Sequence, residues 1–577
     1  MKKLKRYLAI PFGSVLVFLA LFWGCLEGPE GDEGSPGPPG PPGPGLKGSL
    51  EGIVTLFGEE DSSGITVKLL NTDRSIKTDA SGHFLFKHLK QGTYALEASL
   101  APYQPKRLDD LVISGHGRVN LTPFSLKAVR RLNGLDGDLK TLSPDGTRFF
   151  FLSCYNQNVN CYLYSQASDG SSEPVLIDMD VYRDTFQLTP DGSKVVYLRN
   201  WGLYTSPADR SEPRMIDAYI YSSPIQISAD SSRVVYRKSR VYSSSILSSA
   251  SLAGGSSVDI DIDVYSFQVT QDSTKILYNK KGNNLYVTPI DQSAPVLIDS
   301  NVVSYKSTPD NLKVVYFTYN NDLKTSRLEM GVPVLIDISV SSARILPDSA
   351  TLLYLKGTEL YSSPLETSAP LLIDRGISIS SPYNSSPDGK RAIYWKDMNL
   401  YTSPINMSAP VLIDLNVQSY RITKDSSRFL YLTNKNELFT SPIDRSEPLY
   451  IDSNVGSFIW TSDNSLTVYM KRNSELCVSP VLTPNPVILD SWVNSNPYRI
   501  TPDDSRVLYY KGKTLYFRAI DASRKPRAVD DGIKNMNMPE FTLVAPDGKF
   551  LIYSRLQVDD PESQEDGIFR LDFPQGW

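Results

Sequence analysis

Histidine is nearly absent from this chain of 577 residues: there are three, and none lies between Thr122 and Trp577. This absence removes the usual general base of a Ser-His-Asp hydrolase and a common metal ligand from most of the chain. Basic clusters are also missing beyond the N-terminus, and 59 Lys and Arg stand against 64 Asp and Glu. We therefore predict no catalytic site, no metal site, no cofactor and no nucleic-acid partner.

Tyrosine, proline, serine and aspartate are plentiful instead. The 33 Tyr and 40 Pro favour short strands separated by tight turns over long helices. A hydrophobic content of 40% with 21% charged residues is typical of a folded protein. The composition predicts an all-β fold.

The N-terminus has the pattern of a targeting segment. MKKLKR is followed by an uncharged apolar run from Tyr7 to Leu26 that contains Gly24-Cys25. This resembles a bacterial lipoprotein signal peptide, although Phe22 and Trp23 differ from the residues usual before the lipidated cysteine. The resemblance implies a signal peptide over 1–25, a lipid on Cys25 and a place in the bacterial cell envelope, at the outer membrane. An uncleaved signal anchor is the alternative, because about 20 apolar residues can span a bilayer.

A short glycine-periodic segment follows. Glycine recurs at every third place from Gly28 to Gly43, which resembles collagen. We interpret residues 26–47 as a tether in polyproline II conformation, with a trimeric triple helix as the alternative.

Residues 48–126 have the pattern of a small β domain. Alternating strands surround the segments TDASGHFLF and LKQGTYALEA, an order that resembles the carboxypeptidase regulatory-like domain, a transthyretin-like sandwich. The resemblance implies a spacer or adhesive module without chemistry. His83, His88 and His116 all lie here, and we interpret them as structural or surface residues in preference to metal ligands.

Residues 127–577 consist of a repeat of about 40 residues, marked by an aspartate in a turn. The eleven copies are at Asp145, Asp191, Asp230, Asp272, Asp310, Asp348, Asp388, Asp425, Asp463, Asp503 and Asp547. Such a period fits either helical repeats or the four-stranded blades of a β-propeller. Each unit contains four short β-rich runs ended by turn residues and no helical apolar stripe, so each unit is predicted to be one blade. TPDGSKVVYL and SPDGKRAIYW resemble the TolB-like branch of the WD-type propeller repeats.

Ring closure is also predictable. Ala128–Leu132 looks like an outermost strand without inner strands of its own, and the last repeat has only three strands, ending with Gly567–Asp572. Pairing these two strands would complete the last blade and remove two exposed edges. Eleven blades exceed the usual four to eight of one propeller, which favours two rings, with one large ring as the alternative.

Two sets of repeated aspartates need an explanation. The turn aspartates are expected to cap the turn through their carboxylates, because calcium would need several converging oxygen ligands. The second set ends the PVLID strands, where strand termination is the simple interpretation and a cation-binding rim the less favoured one. Its members are Asp178, Asp217, Asp299, Asp337, Asp374, Asp414, Asp452 and Asp490.

The cysteines suit an exported protein. Cys154 and Cys161 flank the loop YNQNVN and are predicted to form a disulfide across it, worth about 2 to 3 kcal/mol. Cys477 replaces an aromatic core residue and is predicted to be a buried thiol.

The function predicted from these patterns is binding. A lipid-anchored extracytoplasmic scaffold would use its propeller surface to hold a protein or glycan partner. The alternative is a glycan-active lyase that works with Tyr and Arg or Lys. A specific site is expected where the repeat is broken, at the Cys154–Cys161 loop, Ser243–Ser257 or Asp559–Asp566.

Overall fold

The computed structural model describes residues 47–573 except 102, 116, 134, 136, 157–159, 184, 221–223, 240–244, 330, 495–497, 532–541 and 556–566. The predicted signal peptide, Cys25, nearly all of the tether, His116 and all of Asp559–Asp566 lie outside this part. Every regular element in it is a β-strand, as the all-β prediction requires. No helix within it is long and apolar enough to cross a bilayer.

The first eight strands form a two-sheet sandwich. They are β1 (Lys47–Leu56), β2 (Thr66–Leu69), β3 (Ser75–Lys77), β4 (His83–Lys90), β5 (Gly92–Ser99), β6 (Lys106–Ile113), β7 (Arg118–Asn120) and β8 (Phe124–Leu126). One sheet has the order β4-β1-β7 with β8 also on β1, and the other has the order β3-β2-β5-β6. Alternate residues of β1, including Leu50 and Val54, are fully buried because their side chains point to one face of the pleat.

The remaining strands form eleven antiparallel blades. Blades 1 to 4 contain β10 (Asp138–Leu142), β11 (Arg148–Asn156), β12 (Asn160–Ala167), β13 (Val175–Tyr182); β14 (Gln187–Leu188), β15 (Lys194–Arg199), β16 (Gly202–Pro207), β17 (Arg214–Ala218); β18 (Ile225–Ile227), β19 (Arg233–Ser239), β20 (Ser245–Ser251), β21 (Val258–Ile262); β22 (Val264–Val269), β23 (Lys275–Lys280), β24 (Asn284–Pro289), β25 (Val296–Asp299). Blades 5 to 8 contain β26 (Val302–Ser307), β27 (Lys313–Thr318), β28 (Leu323–Arg327), β29 (Val334–Asp337); β30 (Ser342–Ile345), β31 (Thr351–Lys356), β32 (Glu359–Pro364), β33 (Leu371–Arg375); β34 (Tyr383–Ser385), β35 (Arg391–Lys396), β36 (Asn399–Pro404), β37 (Val411–Asp414); β38 (Val417–Ile422), β39 (Arg428–Thr433), β40 (Leu438–Pro442), β41 (Leu449–Asp452). Blades 9 to 11 contain β42 (Val455–Trp460), β43 (Leu466–Lys471), β44 (Leu476–Pro480), β45 (Val487–Asp490); β46 (Arg499–Ile500), β47 (Arg506–Lys511), β48 (Thr514–Ala519), β49 (Arg527–Asp530); β50 (Thr542–Val544), β51 (Phe550–Arg555) and β52 (Gly567–Asp572).

The second strand of each blade is buried on both faces. In β15 and β31 four consecutive residues are buried, for example Val195 to Leu198. A strand covered on both sides by neighbouring blades needs apolar side chains pointing both ways, so its sequence is a continuous apolar run. This is why VVYL, LLYL and FLYL recur along the chain.

The N-terminal strand of the array completes the last blade, as predicted. β9 (Val129–Asn133) pairs antiparallel with β52, placing Phe569 opposite Arg131 and Leu571 opposite Val129. Blade 11 therefore has four strands in the order β50-β51-β52-β9. This arrangement covers two sheet edges that would otherwise stay unpaired.

The blades form one ring. Val314 and Tyr316 of blade 5 pack against Leu277 of blade 4, while Val315 packs against Leu352 of blade 6. Because side chains alternate across a strand, each second strand contributes to the cores on both of its sides. An equivalent apolar cluster joins every pair of consecutive blades.

The ring closes between the last blade and the first. Phe149 and Phe151 of blade 1 share a core with Ile552 and Ile568 of blade 11. With eleven junctions in cyclic order, the structure has the large single ring and not the favoured pair of rings. The number of blades in a ring depends on the angle between neighbouring blades at each junction, which we call the wedge angle. That angle follows from side-chain packing that no single repeat reveals.

The sandwich lies against blade 10. Arg527, which is 6% exposed, donates a hydrogen bond of 2.6 Å to the Tyr103 hydroxyl and forms an ion pair of 2.9 Å with Glu59. Lys127 forms a 2.7 Å ion pair with the fully buried Asp530. A buried ion pair is costly to break, so these contacts hold the sandwich at one place on the ring.

Candidate functional site

The second set of repeated aspartates joins neighbouring blades. In blade 7 the Asp414 carboxylate accepts a 2.8 Å hydrogen bond from the hydroxyl of Tyr431 in blade 8 and a 2.7 Å bond from the Leu415 amide. The same Tyr-Asp hydrogen bond spans ten junctions, because Asp261 and Asp530, which were not in the predicted set, occupy the equivalent place in their blades. The pairs are Asp178 with Tyr197, Asp217 with Tyr236, Asp261 with Tyr278, Asp299 with Tyr316, Asp337 with Tyr354, Asp374 with Tyr394, Asp414 with Tyr431, Asp452 with Tyr469, Asp490 with Tyr509 and Asp530 with Tyr553.

These carboxylates are also neutralised by cations. All of the ten except Asp414 have an ion pair with a described lysine or arginine, as Asp452 has with Lys471 at 3.1 Å. Burial, reinforced by the adjacent aspartate, raises the pKa of the Tyr431 hydroxyl, so it stays a donor. These aspartates therefore do more than end a strand, because they join neighbouring blades. A cation-binding rim would need free carboxylates, but these carboxylates are already bound by tyrosine hydroxyls and, in nine of the ten cases, by lysine or arginine. The signal in the sequence was the tyrosine that recurs about half a repeat after each aspartate.

The turn aspartates cap their turns, as predicted. Asp145 accepts hydrogen bonds from the Ser143 hydroxyl at 2.5 Å and the Thr147 amide at 3.0 Å, which lower the pKa of its carboxyl. Several turns also bond to the next blade: the Asp191 amide donates to the Ser231 hydroxyl at 3.0 Å. On this rim the aspartates stabilise their own turns, and several turns also connect neighbouring blades.

The predicted cysteine and histidine residues lie apart from one another. The structure contains a disulfide between Cys154 and Cys161 on facing strands of blade 1. Cys477 is 1% exposed in the core between blades 8 and 9, as predicted, and burial raises the pKa of its thiol to about 12. His83 contacts Glu51 within the sandwich, and His88 is exposed. No group of three metal-ligating side chains occurs among the described residues.

An aromatic patch on the rim opposite the turn aspartates was not predicted. It consists of Met179, Tyr182, Trp201 and Tyr219 at blades 1 and 2, and we call it the aromatic rim patch. Trp201 is 53% and Tyr219 62% exposed. The Ile220 amide donates to the Trp201 carbonyl at 2.9 Å, which places Trp201 beside Tyr219, and the Tyr182 ring meets the Trp201 ring edge-on at 6.1 Å. Asn160 pairs with Tyr182, so the patch adjoins the disulfide hairpin.

The patch is held in an unfavourable backbone conformation. Trp201 and Tyr219 have φ of 63° and 64°, a region in which bulky side chains are rare. At the position of Tyr219 the other blades have Asp180, Asp263, Asn301, Ser339, Gly376, Asn416, Asn454 and Trp492. Strain of this kind costs about 1–3 kcal/mol for each residue and is typical of functional sites. The signal in the sequence was an aromatic residue where the repeat normally has Asn, Asp, Gly or Ser.

A pocket opens on the channel wall at blades 5 to 7. It has a volume of about 270 Å³ and is lined by residues of the first strands of blades 5, 6 and 7 and by two residues of the second strand of blade 5. Lys306, Arg344 and Asn384 supply its polar side, and Val315 and Phe317 supply its apolar side. Among the described residues, the lining contains no carboxylate.

Tyr305 is the one tyrosine in the described lining of this pocket, and it is unsuited to act as a base. Burial raises the pKa of its hydroxyl to about 12, and that hydroxyl lies 3.1 Å from the Ser266 hydroxyl. It therefore stays protonated near neutral pH. The pocket offers positive charge and hydrogen-bonding groups, which suit binding of an anion better than the proton abstraction of a lyase.

The other two segments expected to break the repeat differ in outcome. Ser245–Ser251, the central part of Ser243–Ser257, forms β20, the third strand of blade 3, where the buried Ser248 donates a hydrogen bond of 2.8 Å to Asp259. Asp559–Asp566 lies outside the described residues.

Comparison with known proteins finds no matching family model and no matching curated protein. Among solved structures, the chain is similar to a eukaryotic initiation factor at 12% identity and a TM-score of 0.34, over 54% of this chain and 85% of that one. It is similar to the C-terminal WD40 domain of Sif2 at 8% identity and a TM-score of 0.27, over 54% and 96%. It is similar to the tricorn protease at 13% identity and a TM-score of 0.27, over 89% and 61%. The assignment as a β-propeller rests on the strand pairing of the chain itself.

Proposed function

We propose that this protein is a lipid-anchored binding or scaffold protein of the bacterial cell envelope, with a β-propeller that holds a protein or glycan partner. The single observation that carries the proposal is the aromatic rim patch. It lies beside the disulfide hairpin, where the sequence departs from the repeat.

Exposed aromatic residues of this kind suit recognition. Tryptophan and tyrosine bring a large apolar surface with few rotatable bonds, and they dominate the energetics of many interfaces. Trp201 and Tyr219 are further restrained by their backbone contacts, so little conformational entropy is lost on binding. The strained backbone lowers stability while both side chains stay more than half exposed, which favours a role in binding.

Anchoring is proposed from the N-terminal sequence. A lipid on Cys25 followed by the glycine-periodic tether would hold the sandwich and ring off an outer-membrane surface. Replacing Cys25 with alanine is expected to abolish incorporation of labelled fatty acid and to release the protein from the membrane fraction. Continued membrane retention without label would indicate a signal anchor instead.

The rim proposal is tested by substitutions that relieve strain. Tyr219→Asn and Trp201→Gly introduce residues that readily adopt a positive φ, so we expect stability to rise by about 1 kcal/mol each. The same variants are expected to lose the partner. Met398→Asn is the matched control, because Met398 is 61% exposed at a φ of 64° but lies on blade 7.

The measurement is photo-crosslinking in the native envelope combined with a glycan array. A probe at position 179, which belongs to the patch and is not one of the substituted residues, should capture one partner, or the array should identify one glycan. The rim variants but not Met398→Asn should abolish the signal. Equal signals from the wild type and the rim variants would refute the proposal.

A further inference from the structure

One position on the channel wall holds a polar side chain in most blades. In some blades this side chain bonds the next blade, and in others it has no hydrogen bond or ion pair among the described residues. It lies four residues before each turn aspartate, on the first strand of each blade. Its occupants from blade 1 to blade 11 are Thr141, Gln187, Gln226, Gln268, Lys306, Arg344, Asn384, Arg421, Ile459, Arg499 and Leu543. Because the blades are equivalent, these side chains can be compared directly.

In blades 2 to 4 the position holds glutamine, which bonds the next blade. Gln187 donates to the Ile225 carbonyl at 3.2 Å, and Gln226 donates to the Phe267 carbonyl at 3.3 Å. Gln268 donates to the Ser307 hydroxyl at 2.9 Å. These three amides connect first strands of neighbouring blades and are structural.

In blades 5, 6 and 8 the position holds Lys306, Arg344 and Arg421, and none of the described hydrogen bonds joins these side chains to the first strand of the next blade. All three are exposed, and among the described residues none of their charged groups has a hydrogen bond or an ion pair. Elsewhere in the ring, partly buried lysines are paired with aspartates, as Lys471 is with Asp452 at 3.1 Å. Their charge is thus available to a ligand in the channel.

Two of these cations share the 270 Å³ pocket, and one is oriented within it. The Arg344 guanidinium lies 5.6 Å from the centre of the Tyr383 ring, and the Tyr383 hydroxyl lies 2.8 Å from that of Ser342. Stacking on an aromatic ring restricts an arginine and leaves its planar edge free for a carboxylate. The pocket has room for roughly nine water molecules, which is the scale of one small ring-shaped unit.

We propose that this pocket binds the carboxylate-bearing unit of an acidic polysaccharide, a uronic acid. Arg344 and Lys306 hold the carboxylate, with Arg344 able to form two parallel hydrogen bonds. Ser304, Asn384 and Ser385 can each donate and accept, as sugar hydroxyl groups do, and Phe317 supplies an apolar surface for the sugar ring. An acidic peptide side chain would leave these neutral polar groups without partners. The site is distinct from the aromatic rim patch.

The test is titration of the full-length protein with uronic-acid oligomers, compared with neutral oligosaccharides of the same length and with polyglutamate. Uronic-acid oligomers are expected to bind at least tenfold more tightly than either. Arg344→Gln should weaken that binding about tenfold or more, and Arg344→Lys should weaken it less because the charge remains. Lys424→Gln, which removes an exposed cation from the turn rim, and Tyr219→Asn should change nothing.

Several results would overturn the proposal. Equal binding of neutral oligosaccharides would exclude carboxylate recognition, and equal binding of polyglutamate with the same dependence on Arg344 would identify an acidic-peptide site instead. Unchanged affinity in both Arg344 variants, with wild-type circular dichroism, would remove the pocket from consideration. Retained uronate binding in Tyr219→Asn, together with loss of the rim partner, would instead support the proposal and show that the two sites fail independently.

Discussion

Replacing Tyr431 with phenylalanine removes one hydroxyl from the junction between blades 7 and 8. Phenylalanine preserves the shape of the fully buried ring, so the change leaves no cavity. What is lost is the 2.8 Å hydrogen bond to the Asp414 carboxylate. Hydrogen bonds to charged groups contribute about 1.5–3 kcal/mol, and partial exposure of Asp414 places the expected loss at about 1–2 kcal/mol.

The neighbouring junction is an internal comparison. Asp452 accepts from Tyr469 at 2.9 Å and also has Lys471 at 3.1 Å, so Tyr469→Phe leaves a carboxylate that is still paired. We expect that variant to lose about 1 kcal/mol or less. Tyr401→Phe is the control, because the Tyr401 ring stacks on Tyr394 and its hydroxyl has no hydrogen bond among the described residues.

The assay combines urea unfolding with native-state hydrogen exchange. A repeat protein can open locally, so the exchange rate of the Leu415 amide, which donates to Asp414 at 2.7 Å, reports the junction directly. Faster exchange there in Tyr431→Phe, with little change in Tyr401→Phe, is the expected result. Equal behaviour of the two variants would show that the interblade hydrogen bond does not stabilise the ring.

Two further predictions concern pH and redox state. The pKa values of the Asp145 and Asp425 carboxyl groups are lowered by hydroxyl hydrogen bonds within their turns. The folded state therefore binds fewer protons, and stability should be full above about pH 4 and fall as the pH drops through the folded pKa; thermal unfolding at pH 7 and pH 3 checks this, and equal stability would contradict it. Replacing Cys154 and Cys161 with serine should cost about 2–3 kcal/mol in urea unfolding, and unreduced wild type in which both thiols accept a label would contradict the disulfide.

Much of the fold followed from short patterns. The four β-rich runs of each unit are blade strands, and the double burial of the second strand explains its unbroken apolar sequence. The pairing of β9 with β52 was predictable because one strand was surplus at the start and one was missing at the end. Both features depend only on short segments or on the number of strands in each repeat, and the sequence contains all of that information.

The candidate sites followed less well. Trp201 and Tyr219 carry a local signal, since each stands where a positive φ favours Asn, Asp or Gly, but their proximity needs the hydrogen bond between two turns of blade 2. The channel pocket has no local signal. Lys306 and Arg344 lie 38 positions apart, and an exposed cation in a strand is ordinary until its neighbours are known.

By itself the sequence determined that the chain is all-β, that its repeat is a blade and that the first strand closes the last blade. Periodicity, turn residues and strand counts are properties of short segments, so no tertiary information was needed. Tertiary structure alone decided that eleven blades form one ring, because the wedge angle at each junction follows from the side-chain packing between the two blades. It also decided which repeated polar residues are satisfied within the ring, as Asp414 is by Tyr431, and which, like Arg344, are left for a ligand.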